Sequence, residues 1–291
     1  MPDTIADLLA QGPTYSFEFF PPRDDEGMLQ LRRAIDELLP VDPDFVSVTY
    51  GANGSSRDRT LAATRMLAEE TDLRVMGHLT CTGQTVEELK AAIDAYGDEG
   101  ITHVLAVRGD MPGGPTVPWE RTPGGLANAT ELVELVRSRG DYCVGVAAFP
   151  DVHPNGGDEL DARILVDKAA AGASFAITQL FFDADRYATL VERVRAKGCD
   201  LPIIGGIMPV TRIGQLTRFA ELSGADLPPA VVERLRAVAD DPISVRAVGT
   251  LLGAELSDQL LGRGVAGLHY FTQNRSSATR EILARLRAAR V

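Results

Sequence analysis

The sequence predicts a single (β/α)8 barrel over residues 1–291, an α/β fold with extra helices between the seventh and eighth strands. Eight short β-rich runs alternate with longer amphipathic segments, spaced by about 30 residues, which is the length of one βα unit. Most of these runs are continuously apolar, as strands covered on both faces are. No GxGxxG pattern follows the first run, which disfavours an open doubly wound sheet that binds a dinucleotide.

Each predicted strand is a short run rich in β-branched and aromatic residues, which favour extended backbone. In chain order the predicted strands are residues 15–20, 45–50, 73–81, 103–110, 142–149, 175–182, 202–208 and 267–273.

Segments with apolar residues at helical spacing lie between the strands, and several end in a glycine just before the next strand, a common helix stop. In order they are residues 28–39, 57–70, 86–99, 129–139, 159–171, 184–197 and 211–222, with a last segment at 277–290. Two further segments, 229–239 and 243–261, fill the long gap between strands seven and eight, and we interpret them as insertions in the same domain.

Composition excludes several classes of function. Lys+Arg 29 against Asp+Glu 41 gives a net charge of −12, and a surface this acidic repels the phosphates of a nucleic acid. No apolar run approaches the ~18 residues of a membrane span, and the first residues lack the pattern of a signal peptide. The 3 cysteines fit neither a disulfide framework nor a metal site, so we expect a cytoplasmic protein without a metal.

Polar residues recur where the predicted strands end, which is where barrel enzymes build their active sites. Glu18 is the most informative of them, because phenylalanines at 17, 19 and 20 would partly desolvate it and favour its protonated form, as suits a general acid. The alternative is a buried glutamate paired with Arg275 or Arg108 for stability alone. The remaining rim residues are Thr49, Tyr50, His78, Thr80, Arg108, Gly109, Asp110, His153, Gln179, Gln273, Asn274 and Arg275.

Each of the other candidates also has a structural alternative. Asp110 follows Gly109, which permits close backbone approach to a flat ligand, but an aspartate in a turn also caps helices. His78 is either a ligand contact or a satisfied core histidine. We expect Lys168 on a helix, with a solvated face as the alternative, and His103 at the opposite end of the barrel in a structural role.

Seven ordered motifs resemble the 5,10-methylenetetrahydrofolate reductase family, from about residue 15 to about residue 285. They are SFEFFPPR at 16–23, VTYGA at 48–52, HLTC at 78–81, LAVRGD at 105–110, PDVHP at 150–154, ITQLFF at 177–182 and TQNR at 272–275.

The resemblance implies a (β/α)8 barrel that reduces 5,10-methylenetetrahydrofolate to 5-methyltetrahydrofolate with NADH or NADPH. It implies that Glu18 protonates N10 and opens the ring to a 5-iminium cation, and that Asp110 lies beside the pterin and favours that cation. It further implies that Gln179 binds folate or nicotinamide and that Arg275 contacts the substrate, with Thr49 also at the substrate.

The family commonly carries FAD, and here its contact positions are mixed. The positions that fit are Thr49, His78, Arg108, Gly109, Asp110, Ala129, His153, Asp161 and Lys168. Four positions depart: Asn128 and Phe149 stand where tyrosines are expected, Ile164 where a polar residue is expected, and Asp167 where some relatives are basic. The family includes a short flavin-independent branch in actinobacteria, so we favour direct hydride transfer without flavin. The alternatives are transfer through bound FAD, a deazaflavin- or pterin-dependent barrel enzyme, and a non-catalytic folate-binding barrel.

Overall fold

A computed structural model of the chain describes residues 4–50, 54–112, 117–151 and 157–289. Eight parallel strands form a closed barrel in which each strand pairs with its neighbours in sequence and β8 pairs with β1. The strands are β1 Thr14–Phe19, β2 Phe45–Val48, β3 Arg74–Thr80, β4 His103–Val107, β5 Cys143–Ala148, β6 Phe175–Thr178, β7 Ile203–Ile207 and β8 Gly267–Phe271. The predicted barrel is confirmed.

Helices surround the barrel and follow the strands in the expected order. They are α1 Ile5–Leu9, α2 Asp25–Leu38, α3 Gly54–Glu70, α4 Val86–Asp98, α5 Ala129–Arg139, α6 Asp158–Ala170, α7 Ala184–Ala196, α8 Ile213–Ser223, α9 Pro229–Arg236, α10 Pro242–Gly262 and α11 Ser277–Ala289. A short 3₁₀ turn, Leu39–Val41, extends α2. The two insertions, α9 and α10, pack on each other. No helix within the described ranges is long and apolar enough to cross a membrane.

Alternation along the strands divides the apolar residues into two cores. One core lies between the sheet and the helices and includes Phe17 and Phe19. The other fills the barrel interior with residues such as Phe45, Met76 and Phe175. Glu18 and the residues at every second position of β1 therefore point into the barrel rather than toward the helices.

Helix α1 was not predicted, and it closes the end of the barrel opposite the active-site end. Ile5 is fully buried against the interior core, and its amide donates to Nε2 of His103, 3.3 Å away. Thr4 and Asp7 form a capping box that starts this helix. The structural role predicted for His103, at the end of the barrel away from the active site, is thus confirmed.

The main differences from the predicted elements lie at the strand ends. The predicted strands run past the observed ones, by three residues at β4 and by four at β6. Strand pairing stops at the barrel mouth, whereas after β6 the apolar sequence continues through residues 180–182 into the loop. Several site residues, Asp110 and Gln179 among them, therefore lie in loops just beyond the strands.

Candidate active site

Glu18 lies inside the mouth of the barrel between two histidines. It is 8% exposed, and its Oε2 is 3.4 Å from Nε2 of His269 and 3.6 Å from Nε2 of His78. The expectation that neighbouring phenylalanines desolvate it is wrong in detail, because Phe17 and Phe19 belong to the core outside the barrel. The barrel interior itself buries the carboxyl group.

An arginine does not hold Glu18 among the residues that the structure describes. Arg275 makes no ion pair with it and is exposed, and Arg108 is stacked 5.5 Å from the centre of the Trp119 ring. The structural alternative considered for Glu18, a permanent pair with one of these arginines, is therefore wrong.

His78 is buried and neutral at ordinary pH. Burial lowers its pKa to about 4, and the nearby Glu18 offsets this only in part. Its Nε2 and the hydroxyl of Thr80 are buried without a hydrogen-bond partner in the described structure. Both side chains share one face of β3, which the contact with Glu18 places inside the barrel. Two unsatisfied polar atoms on the interior face of β3, one of them 3.6 Å from a carboxyl group, are typical of a site that a polar ligand completes.

Sequence reasoning missed His269. This fully buried residue of β8 receives or donates a hydrogen bond of 2.7 Å with the hydroxyl of Ser16, and its ring stacks on Phe45 with 5.9 Å between centroids. Alternation along β8 places His269 and Phe271 on one face, but that this is also the face of Glu18 follows only from the β1–β8 register, in which Ser16 pairs with His269 and Glu18 with Phe271. The side chains of these paired residues therefore all point into the barrel interior.

A cavity of about 500 Å³ opens beside the ends of β4, β5 and β6, and we call it the β4–β6 cavity. It gathers seven of the predicted site residues, namely Arg108, Gly109, Asp110, Ala129, Asp161, Lys168 and Gln179. The four residues that depart from the flavin pattern, Asn128, Phe149, Ile164 and Asp167, line the same cavity.

Lys168 is buried at 7% exposure, so the solvated face considered for it is wrong. Its ammonium group donates to the carbonyl oxygen of Ala147 over 2.8 Å. Burial lowers its pKa to about 8, with Asp161 opposing this effect and Arg108 adding to it. The lysine can therefore carry or lose a charge within the working range of many enzymes.

The residues after β4 form one wall of the β4–β6 cavity. Gly109 has a φ of +82°, and a Cβ there would lie 2.8 Å from the hydroxyl of Thr82, so glycine is required for both reasons. Asp110 is exposed, and its carboxylate has no hydrogen bond or ion pair with any described residue. The helix-capping alternative for Asp110 is therefore wrong, and its charge is available to a ligand. Trp119 covers the adjacent loop and donates to Thr82 over 3.3 Å.

Two further predicted site residues that the structure describes, Thr49 and Arg275, do not line this cavity. Thr49 follows β2 at the rim, where its amide donates to the carbonyl of Phe19. Arg275 lines a second cavity next to α8. His153 lies outside the described residues. No group of three histidine, cysteine or acidic side chains able to hold a metal ion occurs among the residues that the structure describes.

Comparisons with known proteins agree with this geometry. The family model described as methylenetetrahydrofolate reductase matches residues 4–287. The 5,10-methylenetetrahydrofolate reductase of Escherichia coli is 37% identical over 262 residues, covering 90% of this chain and 86% of its own. The Arabidopsis thaliana protein named methylenetetrahydrofolate reductase (NADH) 1 is 34% identical over 297 residues, covering 98% of this chain and 50% of its own.

A Clostridium thermocellum protein described as binding two copies of 5-methyl-5,6,7,8-tetrahydrofolic acid has a similar structure. The TM-score is 0.66 at 12% identity, and the match covers 98% of this chain and 99% of that one, which supports the fold alone. The family match over nearly the whole length carries the assignment: this chain belongs to the methylenetetrahydrofolate reductase family of oxidoreductases.

Proposed function

We propose that this protein reduces 5,10-methylenetetrahydrofolate to 5-methyltetrahydrofolate, with hydride taken directly from NADH or NADPH and no resident flavin. The observation that carries the proposal is the position of Glu18. Its carboxyl group is buried at the mouth of the barrel beside two histidines and without a cationic partner among the described residues. A carboxyl group in such surroundings is suited to protonate a bound amine.

Glu18 supplies the proton that opens the ring. The proton passes to N10 of the folate, the bond between N10 and the methylene carbon breaks, and the electrons of N5 form the 5-iminium cation. His78 cannot replace Glu18 as the acid, because its pKa of about 4 leaves it unprotonated at neutral pH. Solvent protons restore Glu18 after the product leaves.

The hydride then adds to the exocyclic methylene carbon, and the dinucleotide leaves oxidised. Asp110 offers an unpaired negative charge at the cavity, which stabilises the cationic iminium before the hydride arrives. Gln179 lies across the same cavity, and its Oε1 accepts from the amide of Leu180 over 2.8 Å. This bond fixes the side chain so that its NH₂ group can donate to folate or nicotinamide.

The residues present do not fit a tightly held FAD. Asn128 lines the cavity, but its side-chain oxygen accepts from the amide of Glu131 over 3.0 Å and so is used to cap α5. Ile164 offers no polar atom, and Asp167 adds a negative charge to the helix that faces the cavity. Each lost hydrogen bond or added repulsion weakens the binding of an anionic dinucleotide by about 1 kcal/mol or more.

Weak anchoring is compatible with a dinucleotide that must leave at every turnover. A resident prosthetic group needs an affinity high enough to survive purification, whereas a hydride donor binds and dissociates with each cycle. We therefore infer that nicotinamide, rather than flavin, occupies the β4–β6 cavity against the pterin.

The visible spectrum of freshly purified protein, followed by NADH-dependent reduction of methylenetetrahydrofolate with and without added FAD, tests the proposal. We expect no flavin bands, turnover without FAD, and no gain from adding it. Absorption bands at roughly 380 and 450 nm would contradict direct transfer and support the route through flavin. Oxidation of a deazaflavin in place of NADH would point to a different barrel enzyme.

Replacement of the acid tests its role. Glu18→Gln keeps the shape of the side chain and removes the transferable proton, so kcat should fall by about 10² to 10⁴. Glu134→Gln, on the exposed face of α5, removes the same charge away from the cavities and is the matched control. Turnover by Glu18→Gln equal to that of the control would remove the acid role.

A further inference from the structure

His269 is held rigidly inside the barrel, where it is fully buried. Its ring stacks on Phe45, with 5.9 Å between the centroids and 17° between the planes. Phe271 meets the same ring edge to face, with 5.6 Å between the centroids and 89° between the planes. A ring packed between two aromatic side chains keeps one orientation, so Nδ1 and Nε2 each keep their own partners.

The partner of Nδ1 is the hydroxyl group of Ser16, a residue of β1 that is also fully buried. The two atoms are 2.7 Å apart, which is the usual length when a hydroxyl group donates and shorter than is usual when a ring N–H group donates. Another acceptor near this hydroxyl group, the carbonyl oxygen of Leu268, is 3.4 Å away. The distances therefore indicate that Ser16 donates to Nδ1, so that the ring carries one proton, on Nε2.

Nε2 of His269 faces the carboxyl group of Glu18. Its distance to Oε2 is 3.4 Å, and the hydroxyl oxygen of Ser47 lies 3.4 Å from the same nitrogen. One N–H group is thus shared between two acceptors, and both contacts are long. The hydroxyl group of Thr272 donates to the carbonyl oxygen of Glu18 over 2.6 Å, which holds the backbone of Glu18 against the end of β8.

An N–H group aimed at Oε2 acts differently on the two forms of Glu18. It adds little to the uncharged acid, but it stabilises the carboxylate through a charge-assisted hydrogen bond. When Glu18 gives its proton to a bound amine, negative charge develops on Oε2 and the long contact with Nε2 can shorten. The ring of His269 does this without the full positive charge with which an arginine would ionise the acid before the substrate binds. His78, the other histidine near Oε2, is 3.6 Å away and makes no hydrogen bond with it.

We propose that His269 is a positioning residue for proton transfer by Glu18, and that Ser16 holds its Nε2–H group toward the carboxyl group. No further reactant is needed. The proton of Glu18 passes to the substrate nitrogen, whereas the proton on Nε2 stays on the histidine while its hydrogen bond to Oε2 strengthens. This inference rests on the proposed function, since it requires Glu18 to act as the acid.

Nitrogen-15 NMR of protein labelled in its histidines tests the tautomer, because protonated and bare ring nitrogens have well-separated chemical shifts. The chain has 4 histidines, and the signals of His269 are those that disappear in His269→Gln. We expect a protonated Nε2 and a bare Nδ1 in the wild type. A proton on Nδ1 would overturn the inference, whether or not the protein reduces a folate.

Two amide variants test the position of the donor. His269→Gln keeps an N–H group near the place of Nε2, whereas His269→Asn keeps one only near the place of Nδ1. We expect kcat to fall by about tenfold to hundredfold in His269→Asn, the value of a hydrogen bond to a charged group, and to be largely restored in His269→Gln. The Kd of 5-methyltetrahydrofolate should change little, because its binding involves no proton transfer. Equal values of kcat in the two variants would overturn the inference.

A pair of serine variants, each losing only one buried hydroxyl group, keeps the inference testable if the histidine variants do not fold. Ser16→Ala removes the group that fixes the tautomer and should lower kcat by about threefold to tenfold. Ser257→Ala is the matched control, because its hydroxyl group is equally buried but bonds to Gly253 and Tyr270. Equal values of kcat in these two variants would overturn the inference. The expected tautomer in a wild type without reductase turnover would support the hydrogen-bond arrangement and reject the proposed function.

Discussion

Acidification should release helix α1 from the barrel through the protonation of one histidine. His103 is 5% exposed at the start of β4, and its Nε2 accepts a hydrogen bond from the amide of Ile5. Burial, with a smaller contribution from the charge of Arg74, lowers its pKa to about 4. Once protonated, Nε2 becomes a donor and can no longer accept from Ile5.

The size of the effect follows from the difference between the folded and unfolded pKa values. His103 has an ordinary pKa of 6.5 when the chain unfolds and about 4 in the fold. Between these values the unfolded chain binds more protons, so its stability contribution is complete above 6.5 and is lost as the pH falls toward 4. From pH 7 to pH 5 this histidine alone should lower the free energy of unfolding by about 2 kcal/mol.

Two measurements check this prediction. The chain has 4 histidines, so the ring resonances of His103 can be assigned by NMR with single variants and followed through a titration. His103→Gln retains an acceptor for the amide of Ile5 but does not titrate. Urea unfolding at pH 7 and pH 5 should show that this variant loses about 2 kcal/mol less than the wild type.

His78 serves as an internal control, because its lowered pKa is present in both proteins and cancels in the comparison. An equal loss of stability in the variant and the wild type, or a ring of His103 that titrates near 6.5, would refute the argument that burial keeps this histidine neutral. Helix α1 would then be held by apolar contacts of Ile5 alone.

Two further predictions concern the β4–β6 cavity. The pKa of Lys168 is about 8, so the fraction of this side chain that is charged falls about tenfold between pH 7 and pH 9. The KM for NADH should therefore rise over that range. The variant Lys168→Arg should show a smaller rise. Asn128→Ala removes the cap of α5 and should lower the free energy of unfolding in urea by about 1 kcal/mol, with an unchanged KM for NADH. A large rise in that KM would show instead that Asn128 binds the ligand.

The strands of the barrel could be predicted from the sequence because each is a buried apolar run with few alternatives. Their ends could not, since residues 179–182 after β6 are as apolar as the strand itself and only the loss of pairing ends it. Helix α1 has five residues, too few for a helical period to show. Its capping box of Thr4 and Asp7 was the one local signal.

Candidate site residues could be named one by one from the sequence, but their mutual geometry could not. Glu18 could be singled out as a lone carboxylate in an apolar strand. That Phe17 and Phe19 face away from it follows from the alternation of side chains along a strand, a local pattern that the prediction did not apply. That His269 approaches it depends on the register between β1 and β8, which no local pattern encodes. The burial of Lys168 likewise depends on how α6 packs on β5, since its ammonium group binds the carbonyl of Ala147.

The distribution of cations at the barrel mouth follows from the chemistry proposed for Glu18. Anionic substrates need positive charge, but an arginine in contact with Glu18 would stabilise its carboxylate and remove the proton that the reaction uses. The protein meets both needs by separation. His78 and His269 contact Glu18, while Arg212, Arg218 and Arg275 line the cavity beside α8 and make no ion pair with Glu18.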